Sequence, residues 1–397
     1  MMVRILTIIP LLFLLTGCWS SQELDKSALV HGIGLDKSDG QLRISVEIIK
    51  PTGPSEQGGG EGGGGNGQNI LLERDADSLI QGAREFIKDA KRRLYFEHTR
   101  LWVIGEELAK DNFIDYLDES RRDQMFRLNS YLFITEEKPI DILGTSTLYE
   151  DLSSAEIVSA LEQTQYIAEF TSVKMYEFYK LIEGPIPNAY LPIIRTRKEK
   201  GKAITSIDGT AVINTYKMVG KLNTDETVGL NVLLNKVKGG SKTVSRGKTV
   251  SLNDKEKISV EIKKLETEIN PTLDGNQLEA YLKIEIEGTL ADNTTNRNIN
   301  DQWISKVEEE VSNQTEKSVR LTLNKLQKVI KTDISGIGLE TYRKYPKQWK
   351  NVQSEWNEIF SNADIMIDVH TNITHQGLIN KSVEKNHKKP YNNPYKR

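Results

Sequence analysis

The sequence predicts an α+β fold spread over two or three domains, and three observations carry that reading. Leu282, Ile284 and Ile286 alternate with Lys283, Glu285 and Glu287, the period-two pattern of a strand with one buried face. From 301 to 331, Ile304, Val307, Val311, Val319, Leu323, Leu326 and Ile330 recur at helical spacing. A chain of 397 residues also exceeds what one hydrophobic core usually organises.

At the start, Arg4 precedes an apolar run from Ile5 to Leu15, and Leu15-Thr16-Gly17-Cys18 follows. A basic residue, a short apolar run and small residues before a cut describe a secretory signal peptide. The spacing is that of a bacterial lipobox. The expectation is a signal peptide over 1–17 and a mature chain beginning at Cys18, which carries S-diacylglycerol and an N-acyl group. The apolar run is too short to span a bilayer, which takes ~20 residues. Cys18 is the only cysteine, so it has no internal disulfide partner. It reads as an anchor, not a nucleophile, and it places the remaining chain outside the cytoplasm on a membrane.

Residues 18–27 read as a lipidated polar tether. Strands follow over 28–35 and 41–50, joined by a turn at Asp36-Lys37-Ser38-Asp39-Gly40. In the second strand Leu42, Ile44, Val46 and Ile48 alternate with Arg43, Ser45 and Glu47, which predicts burial of one face only. Residues 51–69 lose almost every apolar side chain and read as a mobile glycine-rich insertion. An amphipathic helix is expected over 77–93, then a strand over 99–104, a helix over 111–122 and a strand over 128–135. Helices over 153–161 and 173–182 complete a first α/β domain, residues 28–195.

Arg195-Thr196-Arg197-Lys198-Glu199-Lys200-Gly201-Lys202 holds five basic side chains in eight. It reads as a solvated linker, with contact to anionic lipid headgroups as the alternative. Strands over 203–214, 217–222 and 244–252 predict a small β-rich middle domain, residues 200–252. A C-terminal α+β domain is expected over 255–380. Its parts are strands over 258–269 and 278–290, the long helix, helices around Tyr342 and over 349–360, and a strand over 365–373. A polar tail fills 381–397.

Composition excludes some functions. The charged share is 27%, the hydrophobic share 37% and the formal charge −3, so no concentrated basic face points to nucleic acid. With no disulfide possible, stability rests on packing.

Motifs for chemistry fail one by one. Gly247-Lys248-Thr249 has Lys242 where a phosphate-binding loop needs its first glycine. Gly32-Ile33-Gly34 and Gly336-Ile337-Gly338 meet Lys37 and Thr341 where a dinucleotide fingerprint needs its third. Close backbone approach is the better account of both. His31, His98, His370, His375 and His387 form no HExxH, and His370 and His375 are expected on opposite faces of a strand. No nucleophile elbow is present. No catalytic residue, metal ligand or cofactor site is assigned.

Several runs together resemble one family. Leu15-Thr16-Gly17-Cys18-Trp19 with Glu23-Leu24, then His31-Gly32-Ile33-Gly34-Leu35-Asp36, are similar to the start of the Ger(x)C spore germination lipoproteins. The likeness continues through His98-Thr99-Arg100-Leu101-Trp102-Val103-Ile104-Gly105-Glu106-Glu107-Leu108-Ala109. It returns in Asp208-Gly209-Thr210-Ala211-Val212-Ile213, Lys217-Met218-Val219-Gly220 and Leu222-Asn223. Asp333-Ile334-Ser335-Gly336-Ile337-Gly338, Tyr342-Arg343-Lys344-Tyr345-Pro346, residues 349–356 and Gly377-Leu378-Ile379 resemble the closing domain. Two departures are the glycine-rich insertion and Ser335, where a bulky aromatic residue is expected.

The resemblance implies a three-domain α+β protein, the C subunit of a GerA-type nutrient germinant receptor. It implies lipid anchoring on the outer face of the inner spore membrane, integral membrane A- and B-type subunits as partners, and no enzymatic role or cofactor. Only Cys18 carries over with a chemical assignment. A solute-binding lipoprotein that captures the nutrient directly is the alternative, and it predicts two similar lobes around a cleft. A cell-envelope hydrolase is the third reading, without a nucleophile motif to support it.

Overall fold

The computed structural model describes residues 27–49, 69–162, 168–244, 257–293 and 300–375. Cys18, the signal peptide, the tether up to residue 26, most of the glycine-rich insertion, Gly247-Lys248-Thr249, Gly377 and the polar tail lie outside the described residues.

The architecture is mixed α/β, built on two sheets. The first has nine strands. β1 (Ser27–Ser38), β2 (Gln41–Ile49) and β3 (Asn69–Ala76) form an antiparallel meander. β4 (Arg93–Tyr95) pairs in parallel with the beginning of β1. Beside β1 the strands β5 (Leu101–Gly105), β6 (Tyr131–Thr135) and β7 (Asn188–Glu199) also run parallel. β7, β8 (Lys202–Asn214) and β9 (Lys217–Leu222) return to antiparallel pairing.

Parallel strands require crossovers, and helices supply them on both faces. One face packs Ile33, Leu35, Trp102, Ile104, Leu132 and Ile134 against helices Leu79–Glu85, Ile114–Arg122 and Met175–Ile182. The other packs Leu101, Val103 and Phe133 against Pro139–Leu143 and Ser153–Glu162. A Cβ on Gly34 would lie 2.6 Å from Pro139 Cβ, so the first Gly-x-Gly marks close approach of a helix to β1. Covering both faces also corrects the one-sided reading of β2, because Ser45 and Glu47 are buried along with Ile44 and Val46. The Glu47 carboxylate accepts the Ser153 and Ser154 amides at 2.9 and 3.1 Å and Asn69 Nδ2 at 3.1 Å. Burial pushes its pKa up, against the pull of those hydrogen bonds.

The second sheet runs β10 (Gly240–Val244), β11 (Ile258–Asp274), β12 (Gln277–Asn293) and β13 (Asp364–His375), with the last pair parallel. Leu282, Ile284 and Ile286 face Val307, Val311, Val319 and Leu323 of helix Asp301–Asn324 in one continuous core. Asn300 Oδ1 caps that helix by accepting the Trp303 amide at 2.9 Å. The helix does not run regularly to 331 as its periodicity suggests. It widens into a π-type turn, Lys325–Ile330, ending at Lys331 with φ 56°. From that turn Gln327 Nε2 donates to the carbonyls of Phe360 and Ala363 at 2.8 and 3.0 Å.

Several expectations change. Residues 195–202 are no linker, since they form the end of β7, a turn with Lys200 and Gly201 at φ 48° and 82°, and the start of β8. The described part of 200–252 builds no sheet of its own. β8 and β9 extend the first sheet, and helix Thr224–Leu233 packs on helix Asp301–Asn324. That helix went unread because it is buried nearly all round and lacks an amphipathic stripe. Its Asn223–Glu226 capping box, closed by bonds of 2.9 and 2.8 Å, was the available signal. The expected helix over 77–93 breaks at Phe86, whose side chain is fully buried, and resumes as Ile87–Ala90.

The start of β7 meets the closing helices at Asp333, which is 2% exposed. Its Oδ1 accepts the Ser335 amide at 2.8 Å and the Ser335 hydroxyl at 2.6 Å. Its Oδ2 accepts the Gly338 amide at 2.8 Å and Trp356 Nε1 at 2.9 Å. Asn188, at the start of β7, donates to the Asp333 carbonyl at 3.0 Å and to Asn357 Oδ1 at 3.1 Å. A Cβ on Gly338 would sit 2.2 Å from Ile186 Cδ1 and 2.5 Å from Trp356 Nε1, which accounts for the second Gly-x-Gly. Ser335 is fully buried, and its hydroxyl serves Asp333 where a bulky ring was expected.

Asp333→Ala leaves four buried donors without an acceptor and is expected to cost about 3 kcal/mol. Asp333→Asn, which keeps one acceptor, should cost less. Urea unfolding followed by far-UV circular dichroism measures both, and an alanine variant as stable as wild type refutes the role given to this carboxylate.

Candidate functional site: the crevice at the carboxyl ends of the parallel strands

Two of the resembling runs, sixty-odd residues apart in the sequence, become neighbours through β1–β5 pairing. Gly32, Gly34 and Leu35 lie opposite Leu101, Val103 and Ile104. The register sets Asp36 beside Gly105 and Glu106, and β6 ends alongside with Glu136, Glu137 and Lys138. Lys221, near the end of β9, closes the crevice. Open parallel sheets place ligands outside the carboxyl ends of their strands, which makes this the position to examine for chemistry.

Most of its charges are already engaged. Lys221 Nζ donates to Glu106 at 2.5 Å and to Glu136 at 2.6 Å, and Lys110 reaches Glu106 at 2.9 Å. Burial works against the charge on Lys221, but the bonds to Glu106 and Glu136 outweigh it and raise the pKa. Burial likewise opposes ionisation of Glu106, yet the hydrogen bonds from Lys221 and Lys110 hold its carboxyl below the usual range. Glu137 spends both oxygens on Thr196, accepting its amide and its hydroxyl at 2.6 Å each. Asp36 Oδ1 accepts the Lys37 amide at 2.8 Å, and burial raises that carboxyl. The arrangement ties the ends of β5, β6, β7 and β9 together and presents no nucleophile beside a base.

The histidines are distributed as follows. His31 and His98 stack with ring centroids 6.2 Å apart, and Tyr95 lies 5.8 Å from His98. Burial lowers the His31 pKa, and the charges of His98 and Arg100 lower it further. His370 is exposed and sits 3.2 Å from Asp368 on β13. His375 ends the same strand, and His387 lies outside the described residues. Among the described residues no group of three or more histidine, cysteine or acidic side chains is placed to hold a metal. No helix of the described residues is long and apolar enough to cross a membrane.

Sequence reasoning missed Lys221, Glu136, Glu137 and Glu47. Their partners stand roughly 60 to 115 residues away, beyond the reach of any local pattern.

The family described as "Spore germination protein N-terminal domain" matches residues 20–196. The family described as "Spore germination B3/ GerAC like, C-terminal" matches residues 208–377. Spore germination protein KC of Bacillus subtilis (strain 168) is 27% identical over 395 residues, covering 93% of this chain and 94% of its own. Spore germination proteins YndF and A3 of the same organism are 26% and 25% identical, over 93% and 92% of this chain and 95% of each relative. The crystal structure of the GerBC protein superimposes with a TM-score of 0.57 at 21% identity, over 87% of this chain and 97% of that one, which establishes the shared fold.

Lys221→Met should destabilise the protein by about 1–2 kcal/mol at neutral pH, because Glu106 is left largely buried without its main partner. The depressed Glu106 pKa contributes stability above the ordinary carboxylate range and loses it as pH falls through the folded value. The gap between variant and wild type should therefore narrow on acidification below pH ~4. Denaturant melts across pH test this, and a gap that widens in acid contradicts the assignment.

Proposed function

The chain belongs to the Ger(x)C family of spore germination proteins, and on that premise we propose that it is a non-catalytic, lipid-anchored subunit of a nutrient germinant receptor. The observation that carries the proposal is the ordered match of both family halves, residues 20–196 and 208–377, to relatives named as spore germination proteins. The lipobox at Leu15-Thr16-Gly17-Cys18 supports the anchor. In this reading Cys18 carries S-diacylglycerol and an N-acyl group, and the protein sits on the outer face of the inner spore membrane. Its partners there are the integral membrane A- and B-type subunits.

The physical role of the anchor is to confine the folded domains to a thin layer. Confinement raises the effective concentration of each partner, so individually weak contacts suffice for assembly. A single acyl chain binds membranes reversibly, whereas two or more, at about 0.8 kcal/mol per buried CH₂, hold firmly. Engagement of the crevice charges in ion pairs fits a role in holding surfaces together more than bond-making. The unlike sheets, nine strands against four, do not match the paired lobes of a solute-binding lipoprotein.

Cys18→Ala should leave the domains folded while the protein leaves the membrane fraction and its N-terminal peptide loses the acyl mass. Detergent partitioning and mass spectrometry read both, and wild-type partitioning of the variant refutes the anchor. Deletion of the gene, scored by spore germination across a panel of nutrients, should abolish the response to one nutrient class. Unaltered responses to every nutrient overturn the receptor role.

A further inference from the structure

We propose that the β7–β8 hairpin tip and the loop beside it form a second membrane contact, which docks on anionic lipid headgroups. The inference rests on the lipid-anchored reading of Cys18.

The tip carries Arg195, Arg197, Lys198, Lys200 and Lys202, all exposed. Arg195 lies 3.4 Å from Asp208 and Arg197 lies 3.8 Å from Glu199. Lys198, Lys200 and Lys202 pair with no carboxylate among the described residues. A cluster of unneutralised lysines is the electrostatic complement of an anionic bilayer surface.

Against this hairpin lies a loop of the opposite character. Leu148 is 59% exposed and Tyr149 is 93% exposed. The loop is joined to the hairpin by the Ser146 amide, which donates to the Ala203 carbonyl at 3.1 Å. Its shape is fixed from inside. The Glu156 carboxylate accepts the amides of Leu148, Tyr149 and Glu150 at 3.2, 3.1 and 3.0 Å. Glu150 itself turns back to accept the Ser159 hydroxyl at 2.9 Å. Three backbone donors held on one half-buried carboxylate fix a loop whose Leu148 and Tyr149 side chains stand exposed. An aromatic ring and a leucine on a loop bonded to a lysine-bearing hairpin match the chemistry of a bilayer interface, where tyrosine settles at headgroup depth and lysine pairs with phosphate.

Topology adds an orientation. Leu35, Ile104, Ile134 and Ile193 are aligned across β1, β5, β6 and β7. Ser27, the start of β1, and Glu199, the end of β7, therefore stand at opposite ends of the strands, separated by about 45 Å along their axis at the rise of a strand. The segment from Cys18 to Ser27 reaches at most about 30 Å. Tip and anchor can meet one bilayer together only if the strands lie inclined along it. The lipid and the hairpin would then fix which face of the domain looks toward membrane partners, where the lipid alone would leave it free to turn.

The test uses the full-length lipidated protein, purified from membranes and reconstituted into vesicles, with Tyr149→Cys carrying an environment-sensitive fluorophore. An acylated Cys18 takes up no thiol reagent, so labelling of wild type reports failure of the anchor reading separately from the docking readout. On phosphatidylglycerol-containing vesicles the label at position 149 should shift to the blue and brighten. On pure phosphatidylcholine it should not, and raised salt should reverse the change. Combining Lys198→Gln, Lys200→Gln and Lys202→Gln should weaken docking about a hundredfold, near five-fold for each charge removed. An unchanged label, an equal response on neutral vesicles, or a response that requires a membrane protein overturns the proposal.

Discussion

One buried aspartate, through its carboxylate and its main chain together, joins the start of β7 to the closing helices. Asp333 takes four donors from its own loop and from Trp356, while its backbone engages Asn188 and Asn357. A charge in that position is tolerable because every acceptor site is answered by a directed donor. The same bonds shape the loop that starts helix Ile337–Lys344. They also place Trp356 against Trp349, with ring centroids 4.8 Å apart. Around this point β7 from the first sheet, the end of the long helix and the closing helices meet. Removing the carboxylate would leave the Ser335 and Gly338 amides, the Ser335 hydroxyl and Trp356 Nε1 unsatisfied, and would loosen the loop whose main chain holds Asn188 and Asn357.

A similar logic recurs through the first sheet. Glu47 answers the free amides at the start of helix Ser153–Glu162, Glu156 answers those of the loop before it, and Glu137 answers Thr196 on β7. Lys221 is bracketed by Glu106 and Glu136. Acidic side chains here act as internal ties between distant segments, with their oxygens committed to amides and ammonium groups. The exposed Lys198, Lys200 and Lys202 of the β7–β8 tip differ in kind, having no counter-charge among the described residues.

How much was legible varies element by element, for physical reasons. Strands with one wet face, such as β11 and β12, announce themselves by alternation, and the strand expected over 278–290 falls within Gln277–Asn293. β7 was missed because its first seven residues are all buried and show no alternation. Helix Thr224–Leu233 was missed because its sides are nearly all covered. The linker expected over 195–202 proved a hairpin, since polar composition reports exposure and not conformation. Glu47 was assigned to solvent because a pattern over nine residues cannot show that a second layer of helices covers the sheet.

Spacing along the chain was enough for the α+β class, the order of most elements and the likeness to a germination family. Each is written in local spacing or in short runs read along the chain. Folding in three dimensions places β8 and β9 on the first sheet and β10 on the second, joins Asp333 to Asn188 and Trp356, and sets the Leu148–Tyr149 loop against the basic hairpin. Those facts depend on pairs of residues far apart in the chain, and the free energy of such pairs arises only once the core has brought them together.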